Sequence, residues 1–398
     1  MRVALFLGLL IVGGAAGAAD SYALIGVNVL PMDEERTLHG QTILIRDGRI
    51  AAVGPSTDVV IPPEAIVLDG GGRWVMPGLI DMHVHMRKAD GPAYIAAGVT
   101  SVRNMWGHPA VAALIASGPD ELMPEIYSAS QGVNGPNPVW PYAVVITDPK
   151  RASAVVDEQK RAGWRFIKLY VNLSRDVYDA LVDAAHARGM KAVGHVSVDI
   201  HHALLKGQNS IEHFNGYDRA LSSRGGLFAW IDADERKLAD LARRTREAGT
   251  WNCPTLDLMR VLNGGRLSPA DMQGILKGRR RFVKALRDAG APLLAGTDSG
   301  IGATVPGSSL PDEIAELVAA GLTPYEAIAA ATSAAAEFLD AGGEIGVIAE
   351  GSRADVLLLD RNPLDDLVTL RRPAAVFLRG KLVHDARTGS TRRRIAVP

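Results

Sequence analysis

The sequence predicts an α/β protein: a (β/α)8 TIM barrel with a small β-sandwich domain built from the N- and C-terminal segments. Three observations carry that expectation. Strand-like and helix-like stretches alternate through the middle of the chain, which argues a parallel sheet with helices outside it. Short alternating segments broken by turns occupy both ends. The apolar run Pro77-Gly78-Leu79-Ile80-Asp81-Met82-His83-Val84-His85 ends in His-x-His. It reads as a buried strand finishing in two side chains on one face, at the end where parallel α/β folds place their active sites.

The first end segment, residues 20–75, carries Ala23–Val29, Gln41–Arg46, Arg49–Val53 and Ala65–Asp69, separated by Asp47-Gly48, Gly54-Pro55 and Gly70-Gly71-Gly72. These are expected to be antiparallel strands. The barrel is expected over residues 76–342, with strands at Leu79–His85, Val99–Arg103, Glu125–Ala129, Phe166–Tyr170, Ala192–Val196, Ser210–His213, Thr250–Thr255 and Leu293–Asp298. Helices are expected at Ala152–Gly163, Arg175–Arg188, Asp234–Ala248 and Asp271–Ala289. Roughly eight such units match the ~250 residues of a (β/α)8 barrel. Thr323-Pro324 with Glu326 opens a further helix to Leu339 through a capping box. Residues 343–398 return to β texture at Asp355–Leu359, Ala374–Arg379 and Lys381–Val383, and are expected to pair with the first segment.

At 398 residues, 47% hydrophobic and 22% charged, the chain is long enough for one large core and a smaller appendage. A net charge of -1 gives no footprint for nucleic acid or an anionic membrane, so the expected partner is a small-molecule substrate. The basic runs Arg279–Arg281 and Arg392–Arg394 read as solvated surface. Residues 1–19 combine Arg2, the apolar run Val3–Val12 and the small residues Gly13–Ala19, the pattern of a signal peptide cleaved after Ala18 or Ala19. The run is shorter than the ~20 residues of a membrane span. The expectation is an exported protein, periplasmic or secreted, with no membrane partner once that segment is removed. The single cysteine, Cys253, reads as a buried structural thiol.

Lys168, His195, His213 and Asp298 all fall at carboxyl ends of expected strands, as His83 and His85 do. Taken singly, a His there reads more often as a hydrogen-bonded structural residue, and an Asp often as a helix N-cap. Only a barrel brings such scattered positions together. His and carboxylate ligands without Cys suit zinc or a related divalent metal. Lys168 is the odd member, because an ammonium between Ile167 and Leu169 is costly to bury and repels a metal.

With these residues in place, the chain resembles the amidohydrolase superfamily, within it the imidazolonepropionase-like or prolidase-like group. The resemblance rests on Pro77–His85, Ala97–Arg103, Ile167-Lys168, Gly194-His195, Ile211-Glu212-His213, Gly296–Gly300, Ala330–Ser333 and Gly346–Asp355. It implies two divalent metal ions, expected to be zinc. His83 and His85 would bind one with Asp298, His195 and His213 the other, and Lys168, carboxylated to a carbamate, would bridge them. That modification turns a cation into an anionic ligand. Asp298 would then be the catalytic proton carrier. A mononuclear deaminase would carry Glu three residues after His195, where this chain has Val198, and would leave Lys168 unexplained.

The chain departs from the family pattern at Asn104, where relatives commonly have Asp, and at Pro311, where they often have His. Neither is among the implied ligands. Three long loops follow strands, and four residues in them are candidates for substrate contact. Trp140 is a candidate wall, Tyr142 lies beside it, and Tyr217 or Arg219 is a candidate carbonyl or carboxylate contact. His108 is ambiguous, and His201 and His202 are expected away from the metals. The expected activity is hydrolysis of an amide bond in an Xaa-Pro-like dipeptide or an N-acyl amino acid. Alternatives are a cyclic amide, lactone or phosphoester, or a binding barrel without chemistry. The long loops also offer surface for a homo-oligomer.

Overall fold

The computed structural model describes residues 21–222, 225–261 and 267–386. Residues 1–19, expected to be a signal peptide, and Arg392–Arg394 lie outside the described residues. The first strands are β1 (Tyr22–Val29), β2 (Leu38–Arg46), β3 (Arg49–Pro55), β4 (Ile66–Asp69) and β5 (Trp74–Pro77). There follow β6 (Leu79–Val84), β7 (Val99–Asn104), β8 (Glu125–Ser128), β9 (Val133–Asn134), β10 (Val144–Val145), β11 (Phe166–Leu169), β12 (Lys191–Gly194), β13 (Ser210–Glu212) and β14 (Trp251–Cys253). The chain closes with β15 (Val356–Leu359), β16 (Ala375–Leu378) and β17 (Lys381–Asp385).

The two ends of the chain share one eight-stranded sheet in the order β17-β16-β15-β5-β1-β2-β3, with β4 paired to β1. The joint is the antiparallel pair β5–β15, where Val356 faces Pro77 and Leu359 faces Trp74. Alternation decides its core: Leu24, Val27, Val29, Ile43, Ile45, Val356 and Phe377 turn inward together. Arg49 ties the far end with a forked pair of bonds to Glu344, 3.0 Å each.

Between these ends the parallel strands succeed one another in TIM-barrel-type order. One sheet runs β6-β7-β8 and another runs β10-β9-β11-β12-β13-β14. Single parallel bridges join them at Ala129↔Phe166, Asn252↔Leu293 and Val84↔Ser299. The segment 293–299 stands in the eighth position. It makes point contacts rather than a ladder, among them Met82 N to Ala295 O (2.9 Å) and Asp298 N to His83 O (2.7 Å).

The flanking helices form as their apolar spacing predicts. Arg175–His186 buries Val177, Tyr178, Leu181, Val182 and Ala185, and Ser174 caps its first turn. Burying each large aliphatic side chain stabilises by roughly 1.5–3 kcal/mol. The helix expected over 323–339 is two, Pro324–Ala329 and Ser333–Phe338. The break has a cause: Ala330 O and Ala331 O turn away to accept Ala295 N and Ile80 N from the strands.

Arg279 corrects the solvated reading of its basic run. It is buried between Phe214 and Trp230, and its Nη2 donates to the carbonyls of His213 and Pro254. Arg280 and Arg281 pair with Glu316 and Glu235.

Candidate active site

His83 is the innermost side chain of the cluster, 1% exposed. Its Nδ1 lies 2.8 Å from Glu212 Oε2, so the carboxylate fixes the proton on Nδ1 and leaves the Nε2 lone pair facing the strand ends. Glu212 is held by Arg103 Nη2 at 3.0 and 2.9 Å and by Ser210 Oγ at 2.6 Å. Burial pushes the Glu212 carboxyl up, but Arg103 and the His83 hydrogen bond hold it well below the carboxylate range.

Asp298 reaches the same point from the 293–299 segment. Its Oδ1 is 3.3 Å from His83 Nε2 and 3.0 Å from His85 Nε2, and its Oδ2 is 3.8 Å from His213 Nε2. The His83 and His213 rings are 4.6 Å apart, and the His213 and His195 rings 5.4 Å. Thr255 Oγ1, 2.7 Å from His213 Nδ1, orients that ring as Glu212 orients His83. Asp298 (φ 56°) and His213 (φ 59°) are both in the left-handed region, where non-glycine residues are uncommon.

Glycine is required before His195. A Cβ on Gly194 (φ +119°) would stand 2.3 Å from Leu169 O and 2.9 Å from Lys168 Cδ. The His195 ring stacks on Tyr170 at 4.4 Å. Its Nδ1 is buried without a hydrogen-bond partner among the described residues.

Burial dominates the titration of these groups. It lowers His83 to about 4 and His213 to about 3, and holds His195 well below the usual histidine range. All three imidazoles are therefore neutral near pH 7, as a metal ligand must be. Burial lowers Lys168 to about 8 against the pull of Glu212 and Asp298. For Asp298 burial pushes up, and its interactions with the neighbouring His83, His213 and His85 rings hold the carboxyl well below its ordinary value.

The donor set fits divalent metal. Ligand atoms of His83, His213 and Asp298 all lie within 4.8 Å of one another. The neutral rings, the unpartnered His195 Nδ1 and the ionised Asp298 are what such an ion requires. All six implied ligands border one cavity of about 420 Å3. Trp140 and Tyr142 border it too.

Tyr217 and Arg219 do not border it, which corrects the expectation of a substrate contact. Tyr217 is fully buried, its hydroxyl 2.9 Å from Thr245 Oγ1 and its ring against Phe214 and Phe282. Arg219 donates to the carbonyls of Val196 and Val198 at 2.5 and 3.2 Å, satisfying backbone groups after β12. Asn104 has a structural role: Oδ1 accepts from Met86 N, and Nδ2 donates to Trp106 O and Ser128 Oγ. His202 pairs with Asp179 at 2.6 Å. The sequence reading missed Glu212, Arg103, Thr255, Tyr170 and Trp106. Glu212, beside His83's partner strand end in Ile211-Glu212-His213, carried the only usable signal.

The sequence model of the amidohydrolase family matches residues 74–383, which include every ligand position and β5 to β16. The chain belongs to the amidohydrolase family. Across 379 aligned residues it is 28% identical to an uncharacterized protein of Mycobacterium tuberculosis, covering 85% of this chain and 90% of that one. It is 25% identical to the ochratoxinase of Aspergillus niger, covering 87% and 83%. A Bifidobacterium longum structure described as a prolidase superimposes with a TM-score of 0.77 at 26% identity, covering 95% and 97%. This amidohydrolase is a hydrolase acting on carbon–nitrogen bonds, of a metal-dependent family that takes small-molecule substrates. Among the described residues, no helix is long and apolar enough to cross a membrane.

Proposed function

We propose that this amidohydrolase is a two-metal enzyme that hydrolyses the amide bond of an N-acyl amino acid or an Xaa-Pro-like dipeptide. The observation that carries the reading is the meeting of His83, His85, Lys168, His195, His213 and Asp298 on one cavity from five different places in the chain. His83, His85 and Asp298 would hold one ion, His195 and His213 the other, and Lys168 would bridge them as a carbamate. Divalent metal in this place supplies Lewis-acid polarisation of the carbonyl and acidifies water.

The rest of the chemistry belongs to side chains. Lys168 Nζ, its charge weakened by burial, adds through its lone pair to the carbon of CO2 and releases one proton. Glu212 and Thr255 keep the Nε2 atoms of His83 and His213 free. Asp298 takes a proton from the attacking water and passes it to the departing nitrogen as the C–N bond breaks. The products are a carboxylate and a protonated amine. Trp140, Trp106 and Tyr170 wall the cavity against an apolar or aromatic acyl group.

Metal analysis after reconstitution with zinc or manganese in bicarbonate tests the reading. Two equivalents are expected for the native chain, and about one or fewer for Lys168→Ala with activity reduced by about 10²-fold or more. Fewer than one equivalent in the native chain, or full activity in Lys168→Ala, sinks the two-metal account.

A further inference from the structure

A second cavity, about 560 Å3, lies beside the first and shares His85, Trp106 and His108 with it. The two adjoin as lobes that share a candidate metal ligand, His85. A substrate whose scissile bond sits beside His85 borders both.

The lobes differ in chemistry. The first is walled by aromatic and aliphatic side chains. The second has apolar sides, Val111 and Leu114, but its wall carries Arg87 and Lys88. Arg87 is paired with Asp90 through Nε and Nη2, with bonds of 2.8 and 3.1 Å. Lys88 has no carboxylate partner among the described residues. At the junction, His108 Nδ1 accepts from Ala110 N at 3.0 Å, so the neutral ring carries its proton on Nε2. Asn104, also on this wall, is committed through both side-chain atoms. The cation of this lobe not paired with a carboxylate among the described residues is Lys88, and with the imidazole N–H of His108 it makes a pair of donors that suits an anion.

We infer that the second lobe is the subsite for the carboxylate-bearing half of the substrate, with Lys88 and His108 Nε2–H as its donors. The inference rests on the amide-hydrolysis reading, and it moves carboxylate recognition from the loop of Tyr217 and Arg219 to the loops after β6 and β7. The occupant is an amino acid with a free carboxylate, joined through its nitrogen to an apolar acyl group in the first lobe.

The test compares N-benzoyl amino acids with their carboxamides on the metal-loaded enzyme. The native chain is expected to favour the acid by about tenfold in kcat/KM, with KM carrying the difference. Lys88→Met should bring that ratio to within about twofold of one, and Lys88→Arg should restore most of it. In parallel, 4-phenylbutanoate and 4-phenylbutanamide are titrated against the protein and followed by tryptophan fluorescence, since Trp106 stands at the junction. If neither amide is hydrolysed but the butanoate binds in a Lys88-dependent way, the subsite stands and the reaction assignment falls. An acid-to-amide ratio unchanged by Lys88→Met, or equal binding of both probes to the native chain, overturns the subsite.

Discussion

Arg103 and Glu212 form an ion pair with both side chains 0% exposed, directly behind His83. A buried pair contributes little against a well-packed apolar substitute, but removing one partner leaves a charge stranded. Arg103→Met is expected to destabilise the fold by about 3–5 kcal/mol in urea titration. The double variant Arg103→Met, Glu212→Leu should recover part of that loss while still misorienting His83. Glu313 supplies a second expectation. Burial pushes its carboxyl from 4.5 up to about 8, and its Oε2 accepts from Asp257 N. The folded state keeps a proton that the unfolded chain has lost. The fold is thus favoured below about pH 4.5 and loses stability as pH rises toward about 8, by at most ~1.4 kcal/mol per unit. Glu313→Gln keeps the acceptor and should flatten that slope, read from urea midpoints at pH about 5 and about 8. An unchanged slope assigns the decline to other groups. The metal-ligand types were legible because each ends an apolar run. Arg103 and Glu212 were not, since partners 109 residues apart meet only through the pairing of distant strands.

Among the elements, helix starts were legible and interruptions were not. The Thr323–Glu326 capping box is present as read, with Thr323 Oγ1 accepting Glu326 N at 3.1 Å and Glu326 Oε2 accepting Thr323 N at 2.7 Å. Thr323→Ala should cost about 1 kcal/mol in thermal or urea unfolding without moving the cavity. A loss near zero would mean that packing alone holds this helix. The following break at 330–332 answers to carbonyls wanted by strands far away in sequence, which periodicity cannot display. The 293–299 segment read as an ordinary strand. It pairs only by single bridges because Asp298 leaves extended geometry at φ 56° to face the histidines. Functional geometry overrides propensity there.

For the whole molecule, the end-to-end sheet and the parallel strands act as one body. β5 runs directly into β6 through Gly78, whose N–H bonds Asp355 O of the returning segment at 2.9 Å. Arg353 links Asp355 to Ser101 of β7. The chain is therefore expected to unfold in a single cooperative step, with coincident fluorescence and circular dichroism transitions in urea. Two separated transitions would show that the sheet is independently stable. The pairing of the chain's ends was legible from turn spacing and composition. The strand order was not, because β-texture alone does not say which edges meet.

The excursion between β9 and β10 closes over the cavity and is fastened from outside itself. Trp140 Nε1 donates to Tyr170 Oη at 2.7 Å, Trp106 Nε1 to Pro141 O at 3.2 Å, and Gln131 Nε2 to Tyr142 O at 2.9 Å. Its ends are pinned in the sheet and its middle hangs on side-chain clasps such as these, while none of the candidate ligands comes from it. Such a part is interchangeable. A lineage could replace residues 136–143 wholesale, acquiring a different appetite for substrates while the catalytic centre and the fold that carries it stay as they were.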